Sequence, residues 1–207
     1  WSHYRHWRDA VGEGGLVYLS AGYSAMGYLL NYWMGIEGVM YGICDFPELM
    51  HQAVDQINQA NLRLIHLLCE SPAEVIVMGD NFSSDIQPPH FFDEWSRDYY
   101  EDAIERLHLA GKFVAVHIDG KLRGALEMIR DTGADCADAV TPKPMGDLDA
   151  AGCRTHAGPD FILSGGVSPD LWLPGVPDAD FERAVLDWLA LKSESPRLIA
   201  NAGDQMP

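Results

Sequence analysis

The chain has 207 residues, 47% of them hydrophobic and 22% charged, with a formal net charge of −17. This is enough apolar chain for one domain with a real core, and the charge opposes a phosphate backbone, which excludes general nucleic-acid binding. No stretch reaches the roughly 20 apolar residues of a membrane span, and no signal peptide is visible. Cys44, Cys69, Cys136 and Cys153 are far apart and form no Cys-x-x-Cys pair. A disulfide framework and a thiolate zinc site are therefore not expected, and a reducing, cytoplasmic setting is.

In chain order, short apolar runs alternate with longer stretches of helical period. The first run is Leu16–Leu19, followed by Tyr23 and Tyr28 in a loop and helix start. Asp45-Phe-Pro-Glu48 reads as a helix cap with proline in the first turn, leading an apolar stripe of Met50, Ala53, Val54, Ile57, Leu64 and Leu68. Val75–Met78 is the second run, and Asp80 and Asn81 follow it. After Pro88-Pro89 a helix carries Phe92, Trp95, Tyr99, Ile104 and Leu107 and ends near Gly111. Phe113–Val116 comes next, with His117 and Asp119 behind it, and then a short helix through Leu122, Leu126 and Ile129 that stops at Gly133. Ala137–Val140 precedes Thr141, and Phe161–Leu163 precedes Ser164, Gly165 and Gly166. Pro169–Pro177 reads as a loop, and Asp178 opens a helix with Phe181, Val185, Trp188 and Leu189 on one face. Leu198–Ala200 is the last run, ahead of Asn201, Gly203 and Asp204.

Runs of this length, buried on both faces and separated by helices, imply parallel strands joined by right-handed crossovers. A closed barrel and an open doubly wound sheet both satisfy the pattern. No GxGxxG or GxxxxGK[ST] follows the first run, which removes the main support for a nucleotide-binding domain. In either fold the ends of parallel strands share one side, and in a barrel they ring the mouth where the chemistry sits. Asp80 fits two roles there, a helix cap or a group facing the mouth. His117 and Asp119 are two apart and share a face of an extended segment. They fit an acid–base pair, a shared metal, or a hydrogen-bonded pair that only fixes a loop.

Several segments carry a resemblance to the uroporphyrinogen decarboxylase superfamily, which also holds the cobalamin- and coenzyme-M-type methyltransferases. Asp45-Phe-Pro-Glu48 resembles its DDPEL helix, Ala-Gly-Lys112 through Val-His117-Ile-Asp119-Gly120 its AGKPV..H.DG strand, and Met145-Gly-Asp147-Leu its MGDL turn. Val75–Asp80, Gly133–Asp147, Phe161–Pro169 and Ile199–Pro207 look like family segments in the same order. The resemblance implies an α/β fold, a TIM (β/α)8 barrel of which this chain supplies about six strand–helix units as a single incomplete domain over 1–207. The first two units and the last helix are expected to be missing, and the chain, which starts at Trp1 rather than Met, to be an excerpt of a longer protein.

The thiol methyltransferases of this superfamily carry His-x-Cys on the corresponding strand and a second Cys after the last one, all binding zinc. Here His117-x-Asp119 and Asp204 stand at those places. True decarboxylases have an N.GHG turn where Asn201-Ala-Gly203-Asp204 stands. The resemblance therefore implies a corrinoid-dependent methyltransferase acting on a small methyl ether, with His117, Asp119 and Asp204 as a divalent-metal (zinc) or acid–base set. Oxygen ligands suit a hard ion that polarises an ether oxygen better than a site that activates a thiol. Asp80 would orient substrate, with Tyr23, Asn81, Thr141, Ser164, Gly165 and Asn201 lining its pocket. A corrinoid protein is the implied partner, and a homodimer contact is one way to cover the open sheet edges of a partial barrel. The alternatives are uroporphyrinogen decarboxylation, with Lys121, Arg123 and Lys143 as the nearest cations, and a non-catalytic binding subunit.

Overall fold

The computed structural model describes residues 1–204. The last three residues of the Ile199–Pro207 segment lie outside the described residues. Six strands form one sheet in chain order. They are β1 (Leu19–Gly22), β2 (Val75–Phe82), β3 (Phe113–Ile118), β4 (Cys136–Val140), β5 (Ile162–Gly166) and β6 (Leu198–Asn201). The pairs β1–β2, β4–β5 and β5–β6 are parallel. The helices are α1 (Ser2–Val11), α2 (Ala25–Tyr28), α3 (Gly35–Asp45), α4 (Pro47–Cys69), α5 (Pro89–Trp95), α6 (Arg97–Leu109), α7 (Ala125–Asp131), α8 (Ala150–Ala157) and α9 (Asp178–Ala190), with a π turn at Leu29–Trp33.

Every expected strand is present, and all but β4 (Cys136–Val140, expected as Ala137–Val140) extend further toward the polar end than expected. The first begins at Leu19 rather than Leu16, and Leu16 is exposed. Asp80 and Asn81 lie inside β2, His117 inside β3, Ser164 to Gly166 inside β5 and Asn201 inside β6. An apolar run marks only the part of a strand packed on both faces. The ladder continues past it wherever a neighbouring strand still offers hydrogen bonds.

The helices show two corrections. Asp45 ends α3 and does not cap α4; the N-cap is Phe46, with no side-chain hydrogen bond, and Pro47 still holds the first turn. The helix expected after Pro88-Pro89 is two, α5 and α6, broken at Ser96, whose φ of −132° is not helical. Among the described residues, no helix is long and apolar enough to cross a membrane.

The described residues form two compact units, one of Trp1–Asp80 with His90–Ala115, the other of Asn81–Pro89 with Val116 onward. In the first, α2, the π turn, α3, α4 and α5 bury Met26, Leu29, Leu30, Val39, Met50, Val54 and Trp95 against one another. In the second, Leu126, Ile129, Val140, Leu163 and Trp188 are buried, and α7, α8 and α9 pack in succession beside β4 and β5. At about 1.5–3 kcal/mol for each large apolar side chain, this burial is the main source of stability for either unit.

Candidate functional site

In the first unit, Asp80 is only 2% exposed. Its Oδ1 accepts the Ser24 backbone N–H at 2.6 Å, and its Oδ2 accepts the Ser24 hydroxyl in a short hydrogen bond. Ser24 Oγ in turn accepts the Gly27 N–H at 3.1 Å, capping α2. Gly27 is required for this approach, since a Cβ there would stand 2.3 Å from Asp80 Oδ1. Burial raises the Asp80 pKa, while the two Ser24 donors pull it back. Tyr100 is fully buried, and its hydroxyl has no partner at full hydrogen-bond geometry. Burial and the nearby Asp80 charge push its pKa far up. Both oxygens of Asp80 are thus engaged by the protein's own loop, which makes it an anchor for Ser24 and α2.

Tyr23 follows β1 and packs edge-on against Tyr32 at 5.2 Å between ring centroids, with Tyr28 at 5.6 Å. Its pKa is pushed up to about 12, first by the hydrogen bond with Tyr32 and then by burial. Asn81 sits beside Asp80 with φ 46°, a left-handed conformation that asparagine tolerates better than most residues.

The second unit brings together most of the other candidates. His117 projects from the end of β3 and is a quarter exposed. Its Nδ1 lies 3.1 Å from Asp138 Oδ2, and its Nε2 lies 3.9 Å from Asp204 Oδ1. Asp119 lies one residue past β3, near enough to Asp204 for that carboxylate to raise its pKa. Asp138 Oδ1 accepts the Ser164 hydroxyl at 3.3 Å. Ser164 Oγ accepts Asn201 Nδ2 at 2.8 Å, and Asn201 Oδ1 accepts the Gly203 N–H at 2.9 Å. Residues from the ends of β3, β4, β5 and β6 therefore join in one polar chain. Thr141 stands apart from it, buried, with its hydroxyl spent on the Ala139 carbonyl at 3.1 Å. Gly165 contributes backbone clearance beside Val140.

The electrostatics follow from crowding carboxylates around one imidazole. The hydrogen bond to Asp138 raises the His117 pKa, burial opposes it, and the charges of Asp138, Asp204 and Asp119 add to the rise. Burial raises the Asp119 pKa, Asp204 raises it further, and the Gly120 N–H and His117 pull it back. Such groups titrate as a set rather than singly.

The arrangement predicts a pH dependence of stability. The folded pKa of His117 lies above its unfolded value of about 6.5, so the folded state holds this proton more tightly. The stabilisation is complete below about pH 6.5 and is lost as pH rises through the folded value. Denaturant unfolding from pH 6 to 9 should show stability falling with pH, and His117→Gln should flatten that fall. An unchanged slope in the variant would place the titrating group elsewhere.

Among the described residues, no group of three or more His, Cys, Asp or Glu is arranged to hold a metal ion. What the cluster can do chemically is hold a proton on His117 and exchange it through Nε2.

Asp138 was not among the candidates read from sequence. It sat inside a short apolar run, and a charged residue within a strand buried on both faces was the available signal. Ser24 and Tyr100 were missed for another reason: their role depends on Asp80, 56 and 20 positions away in the chain.

The uroporphyrinogen decarboxylase (URO-D) family model matches residues 15–207. The chain belongs to the uroporphyrinogen decarboxylase family. The family fold is a TIM barrel, and six strands in sequential order with helices between them fit part of such a barrel. Among solved structures, this family member is similar to a methyltransferase from Methanosarcina mazei, with a TM-score of 0.71 and 17% sequence identity. That match covers 97% of this chain, which spans 57% of the methyltransferase's length. At this identity the likeness is one of fold. No curated protein sequence matches the chain.

Proposed function

We propose that this member of the uroporphyrinogen decarboxylase family is a demethylating methyltransferase that takes a methyl group from the oxygen of a small ether. A corrinoid on a partner protein supplies the methyl acceptor. His117 protonates the oxygen that leaves as its bond to the methyl carbon breaks, so the demethylated product departs as an alcohol or phenol. Asp138 and Asp204 stabilise the imidazolium before transfer, and the Asp119–Asp204 pair takes part in restoring the proton. The observation that carries this reading is the imidazole held between Asp138 at Nδ1 and Asp204 beyond Nε2, with its protonated form favoured. Family membership and the fold shared with a methyltransferase support it.

Tetrapyrrole decarboxylation is the competing reading, and family membership alone gives it weight. The electrostatics of the cluster oppose it. A substrate rich in carboxylates wants arginine forks and backbone N–H groups, whereas Asp119, Asp138 and Asp204 crowd this site.

The test uses the full-length protein with a reduced corrinoid acceptor and a panel of alkyl and aryl methyl ethers. Release of the demethylated product is expected. His117→Gln should lower that rate by about 10²–10⁴-fold, the usual worth of a positioned proton donor. Carbon dioxide release from uroporphyrinogen, or an unchanged demethylation rate in His117→Gln, would overturn the proposal. Metal analysis of the same preparations addresses the zinc expectation independently of turnover.

A further inference from the structure

We propose that Asp138 is a positioning residue that fixes the ring of His117. It accepts the Nδ1 proton, holds the neutral imidazole as the Nδ1–H tautomer, and leaves Nε2 as the nitrogen that exchanges a proton. The proposal deepens the proton-donor reading of His117, on which its functional meaning rests; the tautomer itself does not depend on that reading.

The direction of every hydrogen bond behind Asp138 follows from one backbone donor. Gly203 N–H can only donate, so the end of Asn201 that meets it at 2.9 Å is the carbonyl oxygen. The other end of Asn201, its NH2, therefore faces Ser164 Oγ at 2.8 Å. Ser164, already accepting there, turns its proton to Asp138 Oδ1 at 3.3 Å. Oδ1 is thus committed as an acceptor toward Ser164, and Oδ2 remains for His117 Nδ1 at 3.1 Å. An ionised carboxylate can only accept, so the ring must carry its proton on Nδ1.

The backbone is bent to place this carboxylate. The register of β4 against β5 breaks between Ala137 and Val140. Within that break Ala139 has φ 63°, a left-handed conformation that a residue with a Cβ adopts at a cost of about 1–2 kcal/mol. The opposing strand accommodates the bulge because it carries glycine there: a Cβ on Gly165 would stand 2.1 Å from the Val140 carbonyl oxygen. Bulges of this kind re-aim a side chain beside an active site, and the strain at Ala139 is consistent with that use.

The proposal yields a sharp expectation for Asp138→Asn. The variant amide keeps its carbonyl toward the Ser164 hydroxyl and so presents NH2 to His117 Nδ1. The ring must then accept at Nδ1 and carry its proton on Nε2. With 15N-labelled histidine in the full-length protein, NMR of the ring nitrogens at a pH where the ring is neutral reads this directly, His117 being assigned from a His117→Gln spectrum. We expect Nδ1–H in the native protein, Nε2–H in Asp138→Asn, and a return toward Nδ1–H in Asp138→Asn/Ser164→Ala, where the amide is free to rotate. Unchanged resonances from the other histidines establish that each variant is folded. An Nε2–H ring in the native protein overturns the proposal without any variant, and so does an unchanged tautomer in folded Asp138→Asn. A flipped tautomer together with full demethylation activity would uphold the positioning role and overturn His117 as the proton donor.

Discussion

Gly165→Ala is expected to destabilise the protein by about 3–5 kcal/mol, the sum of an overpacked contact and a disallowed backbone conformation. The added Cβ would stand 2.1 Å from the Val140 carbonyl oxygen, 2.7 Å from its nitrogen and 2.8 Å from its carbonyl carbon. Those are backbone atoms of a paired strand, so no side chain can turn aside to make room. The φ of 153° adds strain that an L side chain rarely accepts. Gly175→Ala is the control, because its φ is 94° but nothing lies within 4 Å of the new carbon. It should lose only the conformational part, about 1–2 kcal/mol. Chemical denaturation of both variants measures the difference. Equal losses would show that strand contact at Gly165 contributes little. Whatever Gly165→Ala protein remains folded should also show a displaced Asp138, read as a mixed His117 tautomer.

Arg154→Leu is the second large effect, expected at about 3 kcal/mol or more. Arg154 is 3% exposed on α8. Its Nη1 donates to the carbonyls of Gly158 at 2.7 Å and Phe161 at 2.8 Å, and its Nη2 to that of Arg197 at 2.6 Å. One guanidinium thus closes the end of α8 and ties down the residues that lead into β5 and β6. Removing it takes the donor from three carbonyls, of which that of Phe161 is buried and those of Gly158 and Arg197 part-buried, and a carbonyl left buried and unpaired costs about 1–3 kcal/mol. Relief of the cation's own desolvation offsets part of that loss, since burial already lowers the Arg154 pKa. Arg154→Lys should recover less than half of the stability, because a single ammonium cannot serve three carbonyls in the geometry of the planar fork. The midpoint of urea unfolding reads this, with the His117 ring signals as a check that the site is undisturbed. A loss below about 1 kcal/mol would mean that water replaces the guanidinium at these carbonyls.

Much of this protein was legible from its residues taken in order. Short runs such as Val75–Met78 and Phe113–Val116 are apolar throughout because both faces of the strand are covered, and alternation with helices makes parallel pairing the only economical topology. Several of the polar residues just beyond those runs lie near one another in the structure. His117, Ser164 and Asn201 join through Asp138 in one polar chain in the second unit, with Asp204 3.9 Å from His117. What local pattern could not supply was direction and partnership. Asp80 fitted either a helix cap or a group facing the mouth, and its engagement by Ser24, 56 residues distant, could not be read from the local pattern. The close approach of Gly165 to Val140, which leaves no room for a Cβ, could not be read from the local pattern either. Asp138 lay inside a run read as strand and was not singled out. Only the bulge at Ala139, made possible by that glycine on the neighbouring strand, turns its carboxylate to His117. Strand identity is decided by hydrophobic burial, which each segment carries in its own composition. The aim of a single carboxylate is decided by backbone contacts between segments, which exist only once the sheet has formed.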